Sequence, residues 1–214
     1  MKFIDCEQGS AEWHAARLGK VTASRLADVV AKTKSGYSTS RANYAAELIA
    51  ERLTGAPAER YTNAAMQWGS DQEPVARGMY EFLTDCSVVT VGAVIHPRIE
   101  MSLASPDGLV DASGLVEIKC PNTATHIETL LGAPIDGKYI KQMQWQMACT
   151  ERAWCDFVSF DPRMPGDMQI HVQRVPRDNE LIAELEREAV AFLAEIDDRI
   201  ARLVAKFRTQ EAAE

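Results

Sequence analysis

The residues best suited to chemistry are Asp107, Glu117 and Lys119, carried by Ser105-Pro106-Asp107-Gly108 and Glu117-Ile118-Lys119. Asp107 falls where a strand should turn. Glu117 and Lys119 are two apart on the next predicted strand, so their side chains share a face. If the two strands are neighbours, two carboxylates and an ammonium converge. Such carboxylates repel each other unless a cation sits between them. Oxygen-only donors select a hard ion, Mg²⁺ or Mn²⁺, and the Ile118 carbonyl is a further oxygen. An ammonium beside that ion can orient a water or help deprotonate it, its pKa lowered by the cation. This constellation suits phosphodiester hydrolysis, for which an enzyme must supply on the order of 20 kcal/mol. Lewis-acid neutralisation and a metal-activated water are the means to supply most of it. On a surface hairpin the same residues would be only scattered charges.

Other candidates have plainer alternatives. Glu73 precedes Pro74, which can open a helix, so its carboxylate either reaches the sheet edge as a further ligand or is an acid favoured by the helix dipole. Gln142 and Gln144 lie on the predicted helix after the motif strand, where a polar face would also explain them. Arg17 reads equally as a surface arginine, and Ser24 as a residue near a helix start. The histidines at 14, 96, 126 and 171 form no paired metal pattern and read as structural.

The elements that must position these residues follow from period and caps. Ser10 can cap a helix carrying Trp13 and Ala16, stopped by Gly19. Thr22 can cap the next, with Leu26, Val29 and Val30 on one face. A helix from about Ser40 ends at Gly55, and another spans about 62–83, interrupted or restarted near Gly69 and Pro74. Strands are predicted at 87–95, 100–104, 108–111 and 114–119, the last broken by Pro121. Helices at 123–131 and 136–150, strands at 153–160 and 168–175, and a helix from Asp178 to Arg208 follow. The apolar stripe of that last helix reads Leu181, Leu185, Val190, Leu193, Ile196, Ile200 and Leu203. This order predicts an α/β fold with a central mixed β-sheet flanked by helices and an N-terminal helical lobe. We expect one domain over 1–214, with 1–85 mainly helical, 86–177 the catalytic sheet core and 178–214 the C-terminal helix.

Composition sets the outer limits. The chain of 214 residues is 46% hydrophobic and 25% charged, as for an ordinary globular domain rather than a disordered or fibrous one. The N-terminus lacks an apolar signal region and no long apolar run occurs, so a cytoplasmic protein with no membrane segment is expected. Five cysteines without a C-x-x-C pair read as reduced thiols. The net charge of −8 argues against nucleic-acid binding overall. Its distribution is uneven. Residues 178–214 hold ten acids and five bases, whereas Arg17 to Arg41 hold six bases against Asp28 alone. Such a run is either a solvated surface or a local basic face.

Six segments together resemble the phage λ exonuclease family, the YqaJ-type viral recombinases of the PD-(D/E)xK nuclease superfamily. They are Glu7-Gln-Gly-Ser-Ala-Glu-Trp13-His14, Arg17-Leu-Gly-Lys-Val-Thr-Ala-Ser24, Trp68-Gly69 with Glu73, Ser105-Pro-Asp107-Gly-Leu, Gly114-Leu-Val-Glu117-Ile-Lys119-Cys-Pro121 and Phe160-Asp161-Pro162-Arg163-Met164. The resemblance implies a restriction-endonuclease-like core. It also implies processive degradation of one strand of linear double-stranded DNA from its 5′ end, leaving a 3′ overhang. Implied as well are two Mg²⁺ per site (with Mn²⁺ able to substitute), a homotrimer ring threaded by DNA, and a single-strand annealing protein as partner.

By position, the resemblance makes Asp107, Glu117, Glu73 and the Ile118 backbone carbonyl metal ligands. Lys119 would position the water, and Gln142 would support the water or the scissile phosphate. Arg17, Ser24 and Ser105 would bind the 5′-terminal phosphate, a doubly charged anchor that a guanidinium clamps well. Met66 falls at an apolar wedge and Lys34 at a basic minor-groove contact. The loop after Glu128, Pro97 in place of an acidic residue, and the C-terminal helix depart from the family pattern. A closed ring would let an acidic chain bind DNA, because only its bore must be positive. The competing readings are an endonuclease or resolvase using the same motif, and an inactive DNA-binding scaffold.

Overall fold

The computed structural model describes residues 2–58 and 63–208. Its N-terminal elements are β1 (Lys2–Ile4), α1 (Ala11–Arg17), β2 (Val21–Thr22), α2 (Leu26–Val30), β3 (Lys32–Thr33), β4 (Gly36–Tyr37), α3 (Thr39–Thr54) and α4 (Ala64–Thr84). The middle holds β5 (Val88–Val89), β6 (Ala93–Ile95), β7 (Ser102–Ala104), β8 (Gly108–Val110), β9 (Gly114–Lys119), α5 (Thr123–Leu130) and α6 (Gly137–Thr150). The chain continues through β10 (Trp154–Phe160), β11 (Ile170–Pro176) and α7 (Asn179–Arg208). Thr62, where the period starts the fourth helix, and residues 209–214 lie outside the described residues.

Two sheets carry the fold. One has the order β1-β6-β7-β2 and the other β11-β10-β9-β8-β5. The second is mixed: β9 and β10 run parallel, and the remaining pairs run antiparallel. The fold is α/β and restriction-endonuclease-like, as expected. The strand predicted at 87–95 is two strands, β5 and β6, one in each sheet. Gly92 lies at the break, where a Cβ would stand 2.4 Å from the Cys6 carbonyl oxygen. The N-terminal part is not purely helical, since β1 pairs with β6 and β2 with β7.

Helices cover the five-stranded sheet on both sides. Val116 and Ile118 of β9 pack with Ala76 and Tyr80 of α4. Leu115, of opposite parity, packs with Met143 and Met147 of α6. Trp145 and Cys149, on another side of α6, join a third cluster with Leu48 of α3 and Phe192 of α7. The second half of α6, residues 143–150, is therefore buried on every side and ties the two sheets together.

Two expectations change. Pro74 sits inside α4 rather than at a helix start. An interior proline costs about 3 kcal/mol of helix propensity, and burial of Ala76 and Tyr80 just beyond it offsets that cost. In α7 the buried stripe is Ile182, Leu185, Ala189, Phe192, Leu193 and Ile196, whereas Val190 is 54% and Leu203 38% exposed. No described helix is long and apolar enough to cross a membrane.

Candidate active site

The register of β8 and β9 sets the site. Gly108 faces Val116 and Val110 faces Gly114. Continued by one residue, this pairing puts Asp107 opposite Glu117, where side chains of an antiparallel pair meet at about 5 Å. The Asp107 Oδ2 accepts the Ile118 N–H at 2.6 Å. In an extended strand a residue's N–H and C=O leave on the same edge, so the Ile118 carbonyl also lies on the edge facing Asp107. Gly108 lets β5 pack closely on β8, for a Cβ there would stand 2.0 Å from Val88 Cγ1.

Glu117 is fully buried, and each of its oxygens is held. Gln142 Nε2 donates to Oε1 and Gln146 Nε2 donates to Oε2, both at 2.6 Å. The two amides are four apart on α6, one turn of the same face. Lys119 Nζ also donates to Glu117 Oε1. Gln144 points elsewhere. It donates to the Pro176 carbonyl at 2.8 Å and accepts the Asp178 N–H at 2.8 Å, fastening the start of α7.

The electrostatics follow from this crowding. Burial pushes the Asp107 carboxyl well above the carboxylate range, and the Glu117 charge pushes it further, with Lys119 acting the other way. Burial and the Glu117 charge together disfavour a second negative charge on Asp107, and one ammonium cannot neutralise both. Burial alone would lower the Lys119 ammonium, but Glu117 and Asp107 outweigh it and hold its pKa above the ordinary lysine value. Among these protein neighbours Lys119 is therefore a charged donor rather than a base.

These donors fit a hard divalent cation. They are two opposed carboxylates and a backbone carbonyl, all oxygen and short of positive charge. Glu73 stands further off. Its charge acts on Asp107, but its Oε1 accepts from Arg77 one turn along α4. Among the described residues, no three acidic, histidine or cysteine side chains gather as a metal site. The third carboxylate expected from the sequence is thus nearby and engaged by an arginine.

A polar corner built on Arg17 and Ser105 lies two residues before Asp107. Arg17 is largely buried, lies 4.0 Å from the Trp13 ring centroid, and donates from Nη1 to Ser105 Oγ at 3.2 Å. Trp13 Nε1 donates to the same oxygen at 2.9 Å. Strands β2 and β7 pair Thr22 with Leu103, so Ser24 and Ser105 each lie two residues past a matched pair, at one end of this sheet. Ser24 itself is exposed. The structure thus joins Arg17 to Ser105 directly and sets Ser24 near them. Lys34 is exposed in the turn between β3 and β4, and Met66 is 56% exposed in the first turn of α4.

The basic run from Arg17 to Arg41 is not a free basic face. Arg25 pairs with Asp28 and Glu47, Lys32 with Glu188, and Arg41 with Glu195 and Glu188. Acids of α7 thus neutralise part of it. Two histidines are structural, as read: His96 stacks on Trp145, and His126 hydrogen-bonds Ser159 and the Met168 carbonyl. Cys149 and Cys155 are buried in different clusters, and burial pushes both thiols up.

Three supporting residues escaped the sequence reading. Gln146 was legible only as the residue one turn beyond Gln142. Gln8 donates to the Pro106 and Val91 carbonyls at 2.9 and 2.8 Å, steadying the loop before Asp107. Trp13 was part of a family segment, but its clasp on Ser105 depends on long-range contact.

Solved structures of the same architecture are nucleases. The alkaline exonuclease LHK-Exo of Laribacter hongkongensis is 54% identical, with a TM-score of 0.88 over 94% of this chain and 100% of that one. The same exonuclease in complex with dAMP matches equally well. A phage-related exonuclease from Haemophilus somnus 129PT, 19% identical, shares the fold with a TM-score of 0.66 over 86% of this chain and 96% of its own. The protein is a nuclease of the restriction-endonuclease-like α/β class. Residues 12–153 match the YqaJ-like viral recombinase domain, and the chain belongs to that λ-exonuclease-like family, whose nucleases serve recombination. A search of curated proteins returned no match.

Proposed function

We propose that this nuclease is a Mg²⁺-dependent, processive 5′-to-3′ exonuclease that digests one strand of linear double-stranded DNA from 5′-phosphorylated ends. The 3′ overhangs it leaves would feed recombination by strand annealing. The observation that carries this reading is the facing pair Asp107 and Glu117, with Lys119 on the Glu117 face and the Arg17–Ser105 corner two residues before Asp107. The first group is suited to cutting a phosphodiester and the second to gripping a terminal phosphate. The 54%-identical relative has been seen with dAMP, a deoxynucleoside monophosphate such as this digestion would release.

Asp107, Glu117 and the Ile118 carbonyl would hold divalent cations, with Glu73 as the further acid. A cation there supplies Lewis-acid neutralisation of the charge that builds on the scissile phosphate. Lys119, charged and partly open, donates to the attacking water or the phosphate. Gln142 and Gln146 keep Glu117 from turning away. Arg17 and Ser105, with Ser24, take the 5′ phosphate and hold the strand in register between cuts. Lys34 and Met66 would meet the duplex in the minor groove and at its opening end. Three copies in a ring would enclose the DNA, with a single-strand annealing protein taking the product.

Digestion of linear and closed-circular duplex, with and without 5′ phosphates, in Mg²⁺ or EDTA, tests the reading. Only linear, 5′-phosphorylated DNA in Mg²⁺ should disappear efficiently. Loss of circles would indicate an endonuclease, and no digestion an inactive scaffold.

A further inference from the structure

The segment Phe160-Asp161-Pro162-Arg163-Met164 has no role in the chemistry above, yet it builds a braced arginine at the end of β10. Asp161 is fully buried. Its Oδ1 accepts the Arg163 backbone N–H at 3.0 Å and Nε–H at 2.7 Å. Its Oδ2 accepts from Arg163 Nη2 at 2.9 Å and from the Thr123 hydroxyl at 2.6 Å. The guanidinium lies 4.4 Å from the Trp68 ring centroid, while the side chain stays 51% exposed. Its Nη1 has no protein partner among the described residues. The pairing satisfies the buried Asp161 carboxylate, and it also fixes the guanidinium in one geometry, which favours capture of an anion. Arg163, Trp68, Met66, Cys120 and Pro121 line a cleft of about 360 Å³. The cleft begins one residue past Lys119, and Trp68 is five residues before Glu73 on α4.

We infer that this cleft is a nucleotide subsite, in which Arg163 receives a backbone phosphate of the strand being cut and the Arg163–Trp68 stack carries the attached base. The inference rests on the DNA reading above and extends it. Ser105 lies two residues before Asp107 and the cleft begins one residue past Lys119, so both polar positions lie beside the candidate metal-binding residues. Arg17 would hold the nucleotide to be released and Arg163 the one that becomes the next 5′ end. With Nε and Nη2 held by Asp161, Nη1 is the donor left to meet a phosphate oxygen. A planar stack accepts any base, as an enzyme that consumes every sequence requires.

Binding of a short 5′-phosphorylated duplex, with Ca²⁺ in place of Mg²⁺, should be measured across a salt series for wild type, Arg163→Gln, Arg163→Lys and Trp68→Ala. Arg163→Gln should weaken binding about tenfold and reduce the slope of log affinity against log salt by about 0.7 to 0.9. Arg163→Lys should restore the slope without the full affinity. Trp68→Ala should weaken binding with the slope unchanged, because stacking releases no counterions. A wild-type slope in Arg163→Gln, or a slope in Arg163→Lys as low as in Arg163→Gln, would overturn the subsite. If instead the DNA reading is wrong, wild type neither binds nor digests the duplex.

Discussion

Glu117 is a buried carboxylate that accepts from an ammonium and two amides while facing a second acid. Such a group is costly to the fold unless its charge is used. Asp107→Asn and Lys119→Ala should each slow digestion about a thousandfold or more, equal to ~4 kcal/mol of transition-state stabilisation. Asp107→Asn should at the same time keep or raise the melting temperature without added metal, because it replaces a carboxyl whose ionised form burial and Glu117 disfavour. Near-wild-type rates in either variant would dismiss this assignment. Asp161 makes the opposite contribution. Its hydrogen bonds with Arg163, aided by Thr123, hold its pKa at about 2, below the ordinary carboxylate value of about 3.9. A depressed folded-state pKa stabilises above the unfolded value and loses that stability as pH falls. The gap in melting temperature between wild type and Asp161→Asn should be widest above about pH 4 and close toward pH 2. A gap constant across that range would refute the linkage.

At the scale of elements, α6 divides its glutamines between two tasks. Gln142 and Gln146 face Glu117, and Gln144, half a turn away, fastens α7. Gln146→Leu should therefore raise the Mg²⁺ concentration needed for half-maximal digestion by about 10- to 100-fold, as loss of an outer-sphere partner does. Gln144→Ala should instead cost about 1 kcal/mol of stability and leave the Mg²⁺ requirement alone. Equal metal requirements in the two variants would contradict the division. The elements themselves were unevenly legible. Strand β9 stands where alternation and Pro121 predict it, Gly114–Lys119. Strand β1 was not legible, since three residues carry little periodic signal and its partner Ala93–Ile95 is distant in sequence. The β3–β4 hairpin, two exposed residues on each side, was missed for the same reason. Pro74 read as a helix start because local propensity is all a sequence displays, and packing against the sheet overrode it.

For the whole molecule, charge and exposed apolar surface point outward from the single chain. The net charge is −8, and part of the basic run is already paired with acids of α7. The proposed ring of three copies would concentrate the remaining bases in one bore. Phe82 is 83% exposed and Val75 and Leu83 54% each along α4, an apolar surface of the kind that subunit contacts cover. Light scattering should report a solution mass three times 23.7 kDa. A monomer mass under conditions of full activity would remove the ring.

The longer helices, the strands from β7 onward, the types of the candidate site residues and the family were legible in the sequence itself. Period, turn chemistry and short motifs are local properties of a chain. Four matters were decided only by tertiary structure. They are the opposition of Asp107 to Glu117, the bracing of Glu117 by Gln146, the pairing of Glu73 with Arg77 and the anchoring of Arg163 on Asp161. Each depends on which strand lies beside which, and on which side chain wins a partner in a crowded space. Those outcomes are settled by burial and charge summed over the packed chain.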